Sequence, residues 1–192
     1  MSIHKNLIIS ILLFLIPIVL ALACNLPSTN FLEPKEDSVL ISTQAVEELI
    51  TNVDSVVEDI QDGESFQLIV TEAQLSSIIN YELQSYQEYN ISDVQVLLRD
   101  GVIKITGQAE QNNITLPLTL IFSVYPDASG VPQYDIVSAK VGPFDLPSIL
   151  VDQLTIAMDT AFQTNFLPIA KQVVVESITI DQGQMKISGY TK

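Results

Sequence analysis

The segment from Ile114 to Val124 alternates apolar and polar residues, and this pattern constrains the fold more than any other feature of the sequence. Its apolar side chains are Ile114, Leu116, Leu118, Leu120, Phe122 and Val124. Successive side chains of a β-strand point to opposite faces of a sheet, so the pattern predicts a strand with one apolar face. Such a sheet needs a second layer of structure to cover that face.

Turn signals around this segment predict that the sheet is built from hairpins. Asp100-Gly101 separates two alternating segments, 91–99 and 102–110, and is a strong hairpin signal. A fourth strand is expected over 131–141, and Gln182-Gly183 separates the last two predicted strands. Hairpin connections join antiparallel neighbours, so we expect an antiparallel sheet.

Three other segments have the apolar spacing of amphipathic helices. The first ends at Ile60, begins after Ser42 as its predicted N-cap, and has an acidic outer face. The second follows a short strand and begins at a capping box formed by Thr71 and Gln74. The third is the long apolar helix Leu146–Phe166, which we expect to cover the sheet. The sequence therefore predicts an α+β fold.

Residues 1–24 have the features of a bacterial lipoprotein signal peptide. His4 and Lys5 precede a long apolar stretch that ends in Leu20-Ala21-Leu22-Ala23-Cys24. This ending resembles a lipobox, which implies a diacylglycerol on Cys24 and cleavage before it. The stretch is short for a spanning helix and contains Pro17, but an uncleaved anchor and an ordinary secretory signal stay open as alternatives.

The expected organisation follows from this ending and from the composition of the residues after it. We expect a signal peptide over residues 1–23, a lipidated flexible tether over 24–37, and a single α+β domain over 38–192. An acyl anchor on Cys24 would place the domain at the outer face of the cytoplasmic membrane or at the outer membrane of a bacterium.

Charge and residue usage exclude several classes of function. The chain has 8 basic and 23 acidic residues, a net charge of −15, which argues against nucleic-acid binding. Its only histidine and only cysteine are His4 and Cys24, so the domain lacks the usual zinc ligands and the usual base for a serine nucleophile. We expect no catalysis, metal or cofactor, although a glycosidase with two carboxylates stays open.

Three stretches of the domain together resemble a known family. They are a strand that runs into a helix (67–75), a hairpin (94–107), and a long apolar helix followed by Leu167-Pro168 and a closing hairpin (178–189). Their order resembles the LmeA-like phospholipid-binding proteins and, more loosely, other tubular lipid-binding (TULIP-like) bacterial lipoproteins. The resemblance covers residues 64–191 and excludes the first helix. It implies a curved antiparallel sheet wrapped around a long C-terminal helix, with an acyl chain between them. The first helix, predicted from its own apolar spacing, is then an extra N-terminal helix.

The resemblance implies a groove between sheet and helix that binds or carries a phospholipid or a similar apolar ligand. The candidate lipid-binding residues are Leu118, Leu120, Phe122, Leu150, Leu154, Met158 and Phe162. An ordinary filled core is the alternative for each of them. A filled core would favour a structural or assembly lipoprotein that recruits an unknown protein partner through the acidic first helix, at Glu47, Glu48, Glu58 and Asp59.

Overall fold

The computed structural model describes residues 38–58, 63–84, 91–111, 114–165 and 172–192. Within these ranges it contains three helices, which are α1 (Thr43–Glu58), α2 (Glu72–Gln84) and α3 (Ser148–Asn165). The strands form two antiparallel sheets, and the predicted α+β class is confirmed. The signal peptide, Cys24 and the tether lie outside the described residues.

The two sheets differ in size and in how their strands follow one another along the chain. The first sheet consists of β1 (Ser65–Thr71), β7 (Val173–Asp181) and β8 (Gln184–Thr191), in the order β1-β8-β7. The second sheet consists of β2 (Ile91–Arg99), β3 (Val102–Gln111), β4 (Ile114–Pro126), β5 (Pro132–Val141) and the two-residue β6 (Phe144–Asp145). Its order is β2-β3-β4-β5-β6, so each strand pairs with its neighbour in sequence and β2 is an edge strand.

Both predicted two-residue hairpin turns are confirmed. Asp100 and Gly101 have φ angles of 52° and 78°, and Gln182 and Gly183 have φ angles of 49° and 85°. Positive φ at both central residues belongs to the type I′ turn, whose twist matches that of the flanking strands. These turns fix the registers of β2 against β3 and of β7 against β8.

The predicted helix starts are confirmed as well. The backbone N–H of Ala45 donates to Ser42 Oγ at 3.1 Å, which makes Ser42 the N-cap of α1. The backbone N–H of Gln74 donates to Thr71 Oγ1 at 3.2 Å, and the backbone N–H of Thr71 donates to Gln74 Oε1 at 3.0 Å. This reciprocal pair is the capping box that stops β1 and starts α2.

The expected single sheet wrapped around the last helix is not what the structure shows. The strands divide between two sheets, and α3 packs mainly against β5. Two apolar residues of α3, Ile149 and Ile156, are 64% and 65% exposed. Apolar residues lie on several sides of α3, so the sequence does not specify one buried face for this helix.

Two apolar clusters form the core. The first lies between α1 and the first sheet and contains Val56, Phe66, Val173 and Val175. The second lies between the two sheets and α2 and contains Val96, Leu98, Ile103 and Ile180. Leu75, Ile79, Phe122 and Val124 pack against the second cluster. The far end of the β4 apolar face thus belongs to a filled core.

The edge strand β2 is covered by polar side chains of α2. Glu72, Ser76 and Asn80 are spaced by four residues, so they lie on one side of the helix. Glu72 Oε1 accepts from the Leu98 N–H at 2.6 Å, and Asn80 Nδ2 donates to the Val94 carbonyl at 2.6 Å. Between them, Ser76 Oγ accepts from the N–H of Val96 at 2.8 Å and lies 3.4 Å from its carbonyl, to which it donates.

The spacings of helix and strand explain why these contacts repeat. Four residues of α-helix rise about 6 Å, and two residues of β-strand rise about 6.6 Å. Alternate residues of an edge strand point their backbone polar groups away from the sheet, and these are Val94, Val96 and Leu98. The α2 side chains therefore bond the outer edge of β2 as another strand would.

Replacing Ser76 with alanine should destabilise the fold by about 1–3 kcal/mol, because the buried Val96 N–H loses its partner without any cavity being made. Ser55→Ala on α1 is the matched control, since Ser55 is exposed and bonds only within its own helix. The control should change the free energy of unfolding by less than about 0.5 kcal/mol. Urea denaturation of both variants measures the difference, and equal losses would contradict the role given to Ser76.

Candidate functional site

An apolar groove of about 350 Å³ lies on the second sheet, between α2 and the start of α3. We call this space the groove. Its lining residues come from α2, from the strands of the second sheet, and from α3 with the residues just before it. The helix α2 contributes Ile78, Ile79, Glu82 and Leu83. The strands contribute Ile91, Val94, Ile105, Thr106, Gly107, Leu118, Thr119, Leu120, Ala139 and Lys140. The remaining lining residues are Leu146 and Leu154. Almost every atom that faces the groove is carbon.

Small residues in the sheet explain why this space is unfilled. Strand pairing places cross-strand neighbours in rows, which are Gly107-Leu118-Val141, then Ile105-Leu120-Ala139, then Ile103-Phe122-Ile136. The third row contains the bulky Phe122 and belongs to the filled core. The first two rows contain Gly107, which has no side-chain carbon, and Ala139, whose methyl group is too small to reach the helices above. One apolar face of the sheet is therefore core at one end and groove at the other.

The wall formed by α2 is held in place by its contacts with β2. Ile78, Ile79 and Leu83 face the groove, while Ser76 and Asn80 on the same helix bond the β2 backbone. Ser77 also anchors the helix, since its Oγ accepts from the Ser42 N–H at 3.0 Å. This wall is thus fixed both to the sheet and to the residue that caps α1.

One tyrosine of β5 holds the opposite wall, α3, by hydrogen bonds. Tyr134 on β5 donates to the Thr155 carbonyl at 3.0 Å and to Asp159 Oδ1 at 2.7 Å, and both acceptors belong to α3. Leu154, beside Thr155, is buried and faces the groove. Before the helix, the Leu146 N–H donates to the Ala139 carbonyl at 2.8 Å. These contacts keep α3 over one side of the groove.

Burial and the hydrogen bond to Asp159 raise the pKa of the Tyr134 phenol above its ordinary value of 10.0. A raised pKa in the folded state means that folding favours the protonated phenol. The resulting stability is fully present below the ordinary pKa and is lost only as the pH rises through the higher folded-state pKa. The Tyr134 hydroxyl therefore remains a donor to α3 throughout the neutral and mildly alkaline range.

The structure brings together some of the seven sequence-predicted residues. Leu118, Leu120 and Leu154 line the groove. Phe122 packs against the second core cluster instead. The other three predicted residues are half-buried on α3 and are not among the groove lining, and they are Leu150, Met158 and Phe162. Whether any of the seven contacts a ligand stays a prediction.

Sequence reasoning missed most of the wall that α2 provides. The sequence predicts an apolar face on this helix, which contains Ile78, Ile79 and Leu83, but it assigns the cover of the sheet to the third helix. The available signal was the polar set Glu72, Ser76 and Asn80 at a regular spacing of four residues. Polar residues at that spacing on a helix with an apolar neighbouring face indicate a second contact surface.

Comparison of this chain with protein-family models, curated proteins and solved structures found no match. Within the described ranges, no group of three or more His, Cys, Asp or Glu side chains is placed to hold a metal ion. In the same part of the chain, no helix has the length and apolarity needed to cross a bilayer.

Tyr134→Phe should loosen α3 without unfolding the sheets, because it removes the donor to both α3 acceptors. We expect amide exchange in α3 to become about five- to tenfold faster, which corresponds to the loss of about 1 kcal/mol of local stability. Tyr125→Phe is the matched control, since the Tyr125 hydroxyl bonds Asp135 on β5 and not α3. Hydrogen exchange by mass spectrometry reports both variants, and unchanged α3 exchange in Tyr134→Phe would refute this assignment.

Proposed function

We propose that this chain binds or carries a phospholipid or a similar apolar ligand in the groove, while an acyl group on Cys24 holds it at a bacterial membrane. The observation that carries the proposal is the unfilled, carbon-lined space on a sheet whose other end is tightly packed. Ligand sites in proteins are concave and mostly apolar, with volumes of about 300–1,000 Å³. The groove has the shape, lining and size of such a site.

The energetics support an apolar occupant. Each methylene group moved from water into an apolar site contributes about 0.8 kcal/mol. Exposed carbon along the groove lacks partner atoms and loses dispersion contacts, which an acyl chain would supply. A polar ligand would gain little here, because almost no polar atom faces the space. These terms favour a hydrocarbon chain over a sugar, a nucleotide or a metal ion.

We further propose that α3 moves closer to the sheet when a ligand is present. The helix packs mainly against β5, and Tyr134 supplies hydrogen bonds to it. Its half-buried residues Leu150, Met158 and Phe162 would then turn toward the ligand. That movement would add α3 side chains to the lining.

The alternative, recruitment of a protein partner through acidic α1, has less support. Glu47 and Glu48 are exposed on α1, as that alternative requires. This alternative also expects a filled core, whereas the groove leaves one end of the sheet unfilled. Exposed acidic side chains also occur on most acidic proteins and do not by themselves indicate a partner.

Filling the groove tests the proposed function directly. Ala139→Phe places a ring among the residues that line the groove, so the protein purified from bacterial membranes should lose its bound lipid. Val137→Phe is the control, because Val137 lies on the same strand but is 61% exposed and does not line the groove. Native mass spectrometry detects the lipid. Equal lipid in Ala139→Phe, or no lipid in either the unmodified protein or the control, would contradict the proposal.

Cys24→Ser should abolish the acyl anchor, because a serine hydroxyl cannot form the thioether. Cells supplied with a palmitate analogue should label the unmodified chain and not the variant. The variant should be released from membranes or accumulate as an uncleaved precursor. Persistent labelling of Cys24→Ser would refute lipidation at this residue, and it would leave ligand binding in the groove as a separate question.

A further inference from the structure

We infer that the groove takes one hydrocarbon chain whose head carries no net negative charge. This inference rests on the proposed function and narrows it to a class of ligand. Its basis is the combination of three observations: the lining atoms, the charges along the groove, and the volume.

The lining offers nothing that would bind a polar head inside the groove. Almost every atom that faces the space is carbon, although Thr106 and Thr119 are among the lining residues. Across the described part of the chain, every buried side-chain nitrogen or oxygen already has a hydrogen-bond partner. A buried polar head would therefore lose its hydration without compensation. The head must remain at the open side of the groove, and only the hydrocarbon chain enters.

The charges along the groove disfavour a negative head. Lys140 is the one basic residue that lines the groove among the described residues, and its Nζ lies 3.3 Å from Asp145 Oδ1. That ion pair is exposed, so it contributes little to stability. What a ligand head meets is the net charge of the residues around the groove. Glu82 on α2 also lines the groove and Asp145 does not, so one carboxylate remains at the groove beside a neutral ion pair. The chain as a whole has a net charge of −15, so the wider field has the same sign.

The volume favours one chain rather than two. A groove of about 350 Å³ lies near the lower end of the range of about 300–1,000 Å³ for small-ligand sites. The rows that leave the space open, with Gly107 and Ala139, are adjacent in the sheet. The opening thus runs across neighbouring strands as a single channel, which suits one extended chain.

The test uses three ligands with the same chain and different heads: dodecanol, dodecanoate and dodecyltrimethylammonium. The full chain is held in nanodiscs of zwitterionic lipid, and empty nanodiscs correct for partitioning. Displacement of uncharged N-phenylnaphthylamine gives each Kd. We expect dodecanoate to bind about tenfold more weakly than dodecanol, because it meets the local negative charge. Lengthening the alcohol should tighten binding by about fourfold per methylene until the groove is full.

Charge reversal at one lining residue identifies the cause. Glu82→Lys should bring dodecanoate to at least the affinity that dodecanol has for the same variant, so the readout is the ratio of the two Kd values. Glu176→Lys is the matched control, because it changes the net charge equally but lies exposed on β7, outside the groove. The control should keep the tenfold discrimination. The same loss of discrimination in both variants would overturn the role of the local charges.

The outcomes separate this inference from the proposed function. If none of the three ligands displaces the fluorophore, the proposed function itself fails. If all three bind and dodecanoate is as tight as dodecanol or tighter, the groove binds chains but the inference about the head is wrong. If affinity for alcohols does not rise with chain length, the single-chain channel is wrong.

Discussion

The hydrogen bonds between α2 and the edge strand β2 are the constraint on which the rest of the structure depends. Backbone groups at a sheet edge must find partners when they are buried, and here Glu72, Ser76 and Asn80 supply them. The match between four helical residues and two strand residues allows the contact to repeat along the whole helix. It sets α2 beside the sheet, with its apolar residues directed over the sheet face.

The same contact joins the two sheets. Glu72 also forms an ion pair with Arg99, which follows Leu98 in β2. The Leu98 carbonyl accepts from the Gly183 N–H at 3.0 Å, and the Gly183 carbonyl accepts from the Glu72 N–H at 3.1 Å. The turn of the β7–β8 hairpin is thus locked against the start of α2 and the end of β2. A second tie lies at the other end of β7, where the Gly130 carbonyl accepts from the Val175 N–H at 3.0 Å.

At this second contact, the backbone of Gly130 lies very close to β7. Its φ is +76°, and a Cβ at this position would collide with the Val174 side chain. Only glycine accepts that φ readily and lets the β4–β5 turn approach β7 so closely. With β7 joined at both of its ends to the turn end of the second sheet, the bulky third row of that sheet becomes core. The rows with Gly107 and Ala139 extend beyond that core and form the floor of the groove.

Local chemistry determined which parts of this arrangement the sequence could predict. The type I′ turns at Asp100-Gly101 and Gln182-Gly183, the Ser42 cap and the Thr71–Gln74 capping box depend on a few adjacent residues, so their patterns were sufficient. The alternation in β4 predicted its apolar face correctly. It did not show where along that face packed core gives way to open groove, because that boundary depends on Gly107 and Ala139 in neighbouring strands.

The choice of covering helix depended on polar contacts that an apolar pattern ignores. Ser76 and Ser77 are almost completely buried, although serine is usually exposed. The apolar pattern alone therefore favours α3 as the helix that covers the sheet. In the structure α2 covers both core and groove, while α3 retains exposed Ile149 and Ile156. Only the pairing of helix side chains with one particular edge strand distinguishes the two arrangements, and that pairing is a long-range property.

The most direct test of a groove that α2 holds open for a hydrocarbon chain is a crystal structure with bromododecanol. Anomalous scattering locates the bromine without any assumption about the surrounding density. We expect one bromine peak between α2 and α3, within contact distance of Leu83 or Leu154, and an extended chain over Gly107 and Ala139. A groove filled by the protein's own side chains, with bromine absent from it, would contradict the account.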